Sequence, residues 1–149
     1  MKKLFTLKNI LLVVVAIFVI IQFFRIDKTQ PAVNAETDYI SMVQPGEEIS
    51  GLIKNSCYDC HSNETVYPWY SNIAPVSWML KSHINEGREH LNFSEWGNYQ
   101  PGKRGHKQDE CKEMLVNSEM PLKGYTVMHS SANLTDEQKA VLIKWFTNE

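Results

Sequence analysis

The residues with the most specific chemistry are Cys57, Cys60 and His61, which stand together as Cys57-Tyr58-Asp59-Cys60-His61. Two thiols at this spacing, followed at once by an imidazole, suit covalent attachment of haem: each sulfur adds to one vinyl group and the histidine reaches the iron. A short helical turn aims both sulfurs at one porphyrin edge. Three other chemistries fit part of the pattern. A structural zinc site can draw on Cys57, Cys60, Cys111 and a histidine, but it lacks a second CxxC. A thioredoxin-like redox pair wants a strand-helix-strand context, and no strand pattern is present. A plain disulfide suits an oxidising compartment but leaves His61 unexplained.

The elements that must position this motif read as helices. Residues 46–56 follow Pro45, carry Glu47 and Glu48 in the first turn, and place Ile49, Leu52 and Ile53 on one stripe. This helix runs directly into the motif. Tyr67-Pro68-Trp69-Tyr70 reads as an aromatic loop. Residues 75–89 form a second helix with Pro75 in its first turn and Val76, Met79, Leu80, His83 and Ile84 on its inner side. Gly97, Pro101, Gly102 and Gly105 mark 97–105 as loop. Residues 106–118 are helical, with Cys111, Met114 and Leu115 apolar. A last helix starts at Thr135, with Gln138 completing a capping box and Val141, Leu142, Trp145 and Phe146 on its apolar face. The fold class is therefore all-α.

Composition bounds the rest. The 149 residues hold one domain of ordinary size, and a formal net charge of −2 argues against a nucleic-acid binder. Three cysteines are too few for a disulfide scaffold. No nucleophile elbow, phosphate loop or paired-carboxylate motif supports hydrolytic or phosphoryl chemistry. The small net charge conceals an asymmetry: Lys2, Lys3, Lys8, Arg25 and Lys28 against Asp27 give residues 1–30 a net +4, leaving −6 for residues 31–149.

Residues Ile10–Ile21 are an unbroken apolar run, extended past Gln22 by Phe23 and Phe24. As a helix, fifteen residues span about 22 Å at about 1.5 Å each, short of a bilayer core of about 30 Å. Leu4, Phe5 and Leu7 lengthen the apolar stretch, and Lys8 can snorkel. The expected organisation is a transmembrane anchor over 1–26, a tether over 27–45 containing Pro31 and Pro45, and a haem-binding domain over 46–149. A cleaved signal peptide, with Val33 and Ala35 before the cut, is the alternative, although Arg25, Asp27 and Lys28 make the intervening stretch long. In either case Lys2, Lys3 and Lys8 put the N-terminus in the cytoplasm and the domain outside it. For a bacterial inner membrane that side is the periplasm, where c-type haem is attached.

At the level of motif order, helix, CxxCH, long middle, Met-Pro and final helix resemble class I cytochromes c. More closely, residues 49–146 resemble the bacterial haem-binding domain family of single-haem c-type proteins. The matching stretches are Cys57–Thr65, Tyr67–Tyr70, Ala74–Trp78, His90–Trp96 and Glu119–Leu122. The resemblance implies one covalent haem c, with His61 as proximal ligand. It implies Met120, which precedes Pro121 in the position of a class I distal loop, as the sixth. A thioether there raises the potential by favouring reduced iron. His90 is the main rival, followed by His83, His106 and His129, and an open sixth position is the other alternative. The resemblance also offers Pro75, with Pro68 as rival, as the carbonyl that orients the His61 ring. Trp69 or Tyr70 is then a hydrogen-bond donor to a haem propionate. Cys111 is left over, as a buried helical thiol or a link to a second copy. The function implied is single-electron transfer with redox proteins at the membrane, by a carrier without catalytic residues. A ligand sensor or peroxidase-like enzyme with a vacant iron site is the competing expectation.

Overall fold

The computed structural model describes residues 6–148. Lys2 and Lys3, invoked for orientation, and Leu4 and Phe5, invoked to lengthen the apolar run, lie outside the described residues. In chain order the helices are α1 (Leu7–Ile21), α2 (Tyr39–Val43), α3 (Gly46–Ile53), a π-helical turn (Lys54–Tyr58) and α4 (Asp59–His61). A 3₁₀ turn (Trp69–Asn72) and α5 (Val76–His90) follow, then a second 3₁₀ turn (Phe93–Asn98), α6 (Pro101–Val116), α7 (Lys123–Thr126), a third 3₁₀ turn (Ser130–Ala132) and α8 (Asp136–Asn148). The all-α expectation holds: no strand occurs among the described residues.

The chain divides into two compact units. The first combines the described residues up to Thr29 with Tyr67–His83. None of the residues of α1 is buried. At fifteen residues α1 is shorter than the anchor expected over 1–26, and no helix among the described residues is long and apolar enough to cross a membrane. The turn that follows α1 is fastened by polar side chains. Gln22 Nε2 donates to Ala74 O at 3.0 Å, and Ala74 N–H donates back to Gln22 Oε1 at 3.0 Å. Lys28 Nζ donates to Ser71 Oγ at 2.8 Å and Asn72 Oδ1 at 2.7 Å. In this unit Leu80 is buried, whereas Val76, Met79 and His83, expected on an inner face, are exposed.

The second unit is Gln30–Val66 with Ile84 to the C-terminus. Its core joins Tyr39, Ile53, Tyr58, Phe93, Trp96, Leu115, Leu142 and Phe146. The unit begins at Gln30, not at residue 46, because the stretch expected to be a tether carries α2. Asp38 caps α2 by accepting from Ser41 N–H at 3.1 Å, and Tyr39 behind it is fully buried. Tyr39 meets Trp96 edge-on at 4.9 Å, and its hydroxyl accepts from Trp145 Nε1 at 2.8 Å. Burying one aromatic of this size stabilises a fold by about 1.5–3 kcal/mol, enough to hold a short helix that propensity alone would not.

Two helix boundaries carry a lesson about local signals. The capping box of α8 forms as read: Thr135 N–H donates to Gln138 Oε1 at 2.9 Å and Gln138 N–H to Thr135 Oγ1 at 3.2 Å. The loop expected over 97–105 is instead a 3₁₀ turn followed by the start of α6, with Pro101 in the first turn and Gly102 and Gly105 inside the helix. α6 packs against α8 and places Cys111 and Leu115 on the core. That packing outweighs a helix penalty of about 1 kcal/mol per glycine. A methyl group at Gly105 would meet no atom within 4 Å. Gly105→Ala is therefore expected to stabilise the protein by about 0.5–1 kcal/mol, read as a higher urea midpoint at unchanged slope.

Candidate functional site

The motif sits where α3 passes through the π-helical turn into α4. The two residues between the cysteines anchor this turn in opposite ways. Tyr58 is buried, stacks on Phe93 with ring centroids 5.4 Å apart, and donates from its hydroxyl to Asp38 Oδ2 at 3.0 Å. Asp59 holds the chain that follows: its Oδ1 accepts from Val66 N–H at 2.9 Å and its carbonyl from Thr65 Oγ1 at 2.6 Å. Its other oxygen accepts from the Tyr125 hydroxyl. With Tyr58 and Asp59 committed, Cys57 and Cys60 are left as half-buried free thiols. Burial, reinforced by the neighbouring Cys60, pushes the Cys57 thiol up to about 12. Burial, reinforced by Asp59, pushes Cys60 up to about 11. Both are protonated at neutral pH, which makes them poor spontaneous nucleophiles.

His61 closes the motif, and its ring is oriented by the last turn of α5. Nδ1 lies 2.9 Å from Gly87 O and 3.1 Å from Leu91 O. Two carbonyl acceptors make Nδ1 the protonated nitrogen, so Nε2 keeps its lone pair. Burial lowers the His61 pKa, and the two carbonyls only partly counter it. The ring is therefore held as neutral imidazole, the form that binds a metal. The acceptors are not Pro75 or Pro68, as expected from the resemblance, but carbonyls at the C-terminal end of a helix, where such groups are available. Gly87 makes this approach possible. A Cβ at that position would stand 2.8 Å from Cys60 O and 3.2 Å from Cys60 C. One glycine thus lets α5 touch the motif backbone and supplies a carbonyl to its histidine.

A second set of contacts fixes the chain leaving His61. Arg88 Nε donates to Ser62 O at 2.8 Å, and its Nη2 donates to Gln30 Oε1 at 3.1 Å and Thr65 Oγ1 at 3.0 Å. Gln30 pairs with the Thr65 backbone in both directions, at 2.7 Å and 2.8 Å. Asn63 N–H donates to Ser94 Oγ at 3.0 Å, and Asn92 Nδ2 donates to Asn63 Oδ1 at 2.9 Å. Gly87, Arg88, Gln30 and Tyr125 were not singled out in the sequence. Their roles depend on contacts across 23 to 66 positions, which no local pattern encodes.

Met120 follows α6, is half-buried, and donates its N–H to Met114 O at 3.3 Å. The segment beyond it returns to the motif: the Ser130–Ala132 turn packs on the π-helical turn, and Tyr125 reaches Asp59. Tyr125 also stacks on His129, with centroids 4.1 Å apart. Tyr125→Phe removes a hydrogen bond to a carboxylate, and an expected loss of about 1.5–3 kcal/mol would appear as a lower denaturation midpoint. The other histidines are dispersed: His83 and His90 are exposed, and exposed His106 lies 3.2 Å from Glu110 Oε1 on α6. No group of three His, Cys, Asp or Glu side chains able to hold a metal occurs among the described residues. The zinc alternative built on Cys57, Cys60, Cys111 and a histidine is thus not assembled. Burial pushes the Cys111 thiol up, consistent with a core position beside Leu115.

The donor set fits haem: two adjacent thiols for the porphyrin edge and one imidazole with its outer nitrogen already bonded. The family model described as a haem-binding domain matches residues 16–148. No curated protein and no solved structure gives a significant match to the chain.

Proposed function

We propose, from the premise that this chain belongs to the haem-binding domain family, that it is a membrane-held c-type electron carrier with one covalently attached haem. Cys57 and Cys60 form the thioethers, His61 Nε2 holds the iron, and Met120 supplies the sixth ligand. The observation that carries this reading is the pair of carbonyls on His61 Nδ1, 2.9 and 3.1 Å away, which fixes tautomer and ring plane. Bound haem supplies a ferric–ferrous couple. The chain's part is to keep His61 neutral and immobile, so that little reorganises between the two redox states. An imidazole hydrogen-bonded through its far nitrogen is also the more basic ligand.

The reading places α1 in the bacterial inner membrane and the cysteine motif on the periplasmic side. An apolar helix with no buried residue supports the first part. Retention of α1, against cleavage near Ala35, is supported by what such a cut would remove. Gln22 and Lys28 are hydrogen-bonded to residues 71–74, and Gln30 to Thr65 and Arg88. The family match also starts inside α1. Confinement to the membrane surface raises the effective concentration of the haem towards membrane redox partners.

Spectra of purified full-length protein test the assignment. The expected result is a thioether-type pyridine haemochrome and a low-spin ferric spectrum whose weak far-red sulfur-to-iron band disappears in Met120→Ala. A high-spin ferric spectrum with rapid carbon monoxide binding after reduction would instead show an open site and a sensor or peroxidase-like protein.

A further inference from the structure

We propose that Phe23, Phe24, Trp69 and Trp78 form an aromatic collar that beds into the phospholipid headgroup region where α1 ends; the proposal rests on the reading of α1 as a bilayer helix. All four belong to the first compact unit. Their exposure is unusual for such large apolar groups: Phe23 is 81%, Trp69 70% and Phe24 65% exposed. Trp78 is partly exposed, and its Nε1 donates to Phe24 O at 2.7 Å.

The hydrogen bonds that fasten the end of α1 decide what covers this face. Gln22 is paired twice with Ala74, Lys28 holds Ser71 and Asn72, and Trp78 holds Phe24. The Trp69–Asn72 turn and the start of α5 are therefore tied to the terminal turn of a helix whose own surface is apolar and uncovered. Wherever that turn lies, the tryptophans lie beside it. Arg25 and Lys28 line a cleft of about 240 Å³ together with Gln22, Ser71 and Asn72, and neither is in an ion pair among the described residues. Aromatic rings with a polar edge, next to cations, at the end of an apolar helix are the composition of a bilayer interface. The collar also answers the length problem. A helix of about 22 Å falls about 8 Å short of the hydrocarbon core. Two phenylalanines and a ring of interfacial aromatics extend the apolar zone on the exit side, one of the ways a short span is accommodated.

The test uses full-length holoprotein in vesicles of phosphatidylcholine and phosphatidylglycerol, with ordinary or acyl-brominated chains. Wild type is compared with Trp69→Phe, Trp78→Phe and the double variant, each checked for unchanged helical circular dichroism. The ratio of emission in the two vesicle types cancels quenching by haem, and Trp96 and Trp145 supply the background. The expected result is bromine quenching in wild type that is reduced in each single variant and lost in the double variant, with flotation preserved. Flotation with the same quenching ratio in wild type and double variant overturns the collar and leaves the anchor standing. A shifted haem absorption band in Trp69→Phe, without loss of bromine quenching, assigns the face to haem and also overturns it. Failure of wild type to float with vesicles overturns the anchor and the collar together.

Discussion

Replacing His61 by alanine is expected to reduce covalent holoprotein to background and to abolish any low-spin spectrum, the largest functional effect of any single change in this chain. The inner nitrogen of this imidazole faces two backbone carbonyls, and the residues on either side are held by contacts of their own. Cys60, before it, is held against Gly87, and Ser62, after it, accepts from Arg88 at 2.8 Å. His83, His90 and His106 are exposed on other elements, and half-buried His129 is stacked on Tyr125. His90→Ala and His106→Ala should accordingly leave haem content and the ferric spectrum unchanged. A His90→Ala variant that lost the low-spin spectrum would displace Met120 from the assignment. Haem content per protein, by pyridine haemochrome, reads all three variants on one scale.

Gly87→Ala carries the largest expected structural effect. The added methyl would stand 2.8 Å from Cys60 O, 3.2 Å from Cys60 C and 3.3 Å from Cys60 Cβ, so the obstacle is backbone rather than a movable side chain. Overpacking of this kind costs about 1–3 kcal/mol. For a chain of this size that corresponds to a fall in Tm of about 2–4 °C for each kcal/mol. The methyl also pushes α5 away from the motif and so lengthens the bond from His61 Nδ1 to Gly87 O. Weakening an outer-shell partner of a histidine ligand typically costs 10–100-fold in affinity or activity. The variant should therefore show a higher midpoint potential, because a less basic imidazole stabilises ferric iron less, or partial loss of the low-spin spectrum, as well as a lower Tm. Gly105→Ala, with empty space around the same methyl group, is the matched control and should move stability the other way.

The contrast between these glycines shows which parts of the molecule can be read from sequence. Where a signal and its consequence lie within one helical turn, the reading held. Residues 46–56 do run as helix into the motif, where Cys57 ends up in the π-helical turn and Cys60 and His61 in α4, and Thr135 and Gln138 do cap α8. Where the outcome depends on a partner far along the chain, it did not. Gly102 and Gly105 resemble loop residues until α6 packs on α8. Asp38 and Tyr39 resemble a spacer until Tyr58, Trp96 and Trp145 are placed around them. The acceptors for His61 were sought at prolines close to the motif. They are the Gly87 and Leu91 carbonyls, and a backbone carbonyl leaves no trace in residue type.

That last feature has a bearing on how the protein is made. The acceptors of His61 Nδ1 lie 26 and 30 residues further along the chain. As the polypeptide emerges, Cys57, Cys60 and His61 are exposed well before Leu91 has been delivered. During that interval the thiols also lack the burial that raises their pKa and shields them. The motif is thus at its most reactive and least oriented early, and at its most oriented and least reactive once α5 has docked. The contact between one helix end and His61 separates a chain whose motif is open to modification from one whose imidazole is held still.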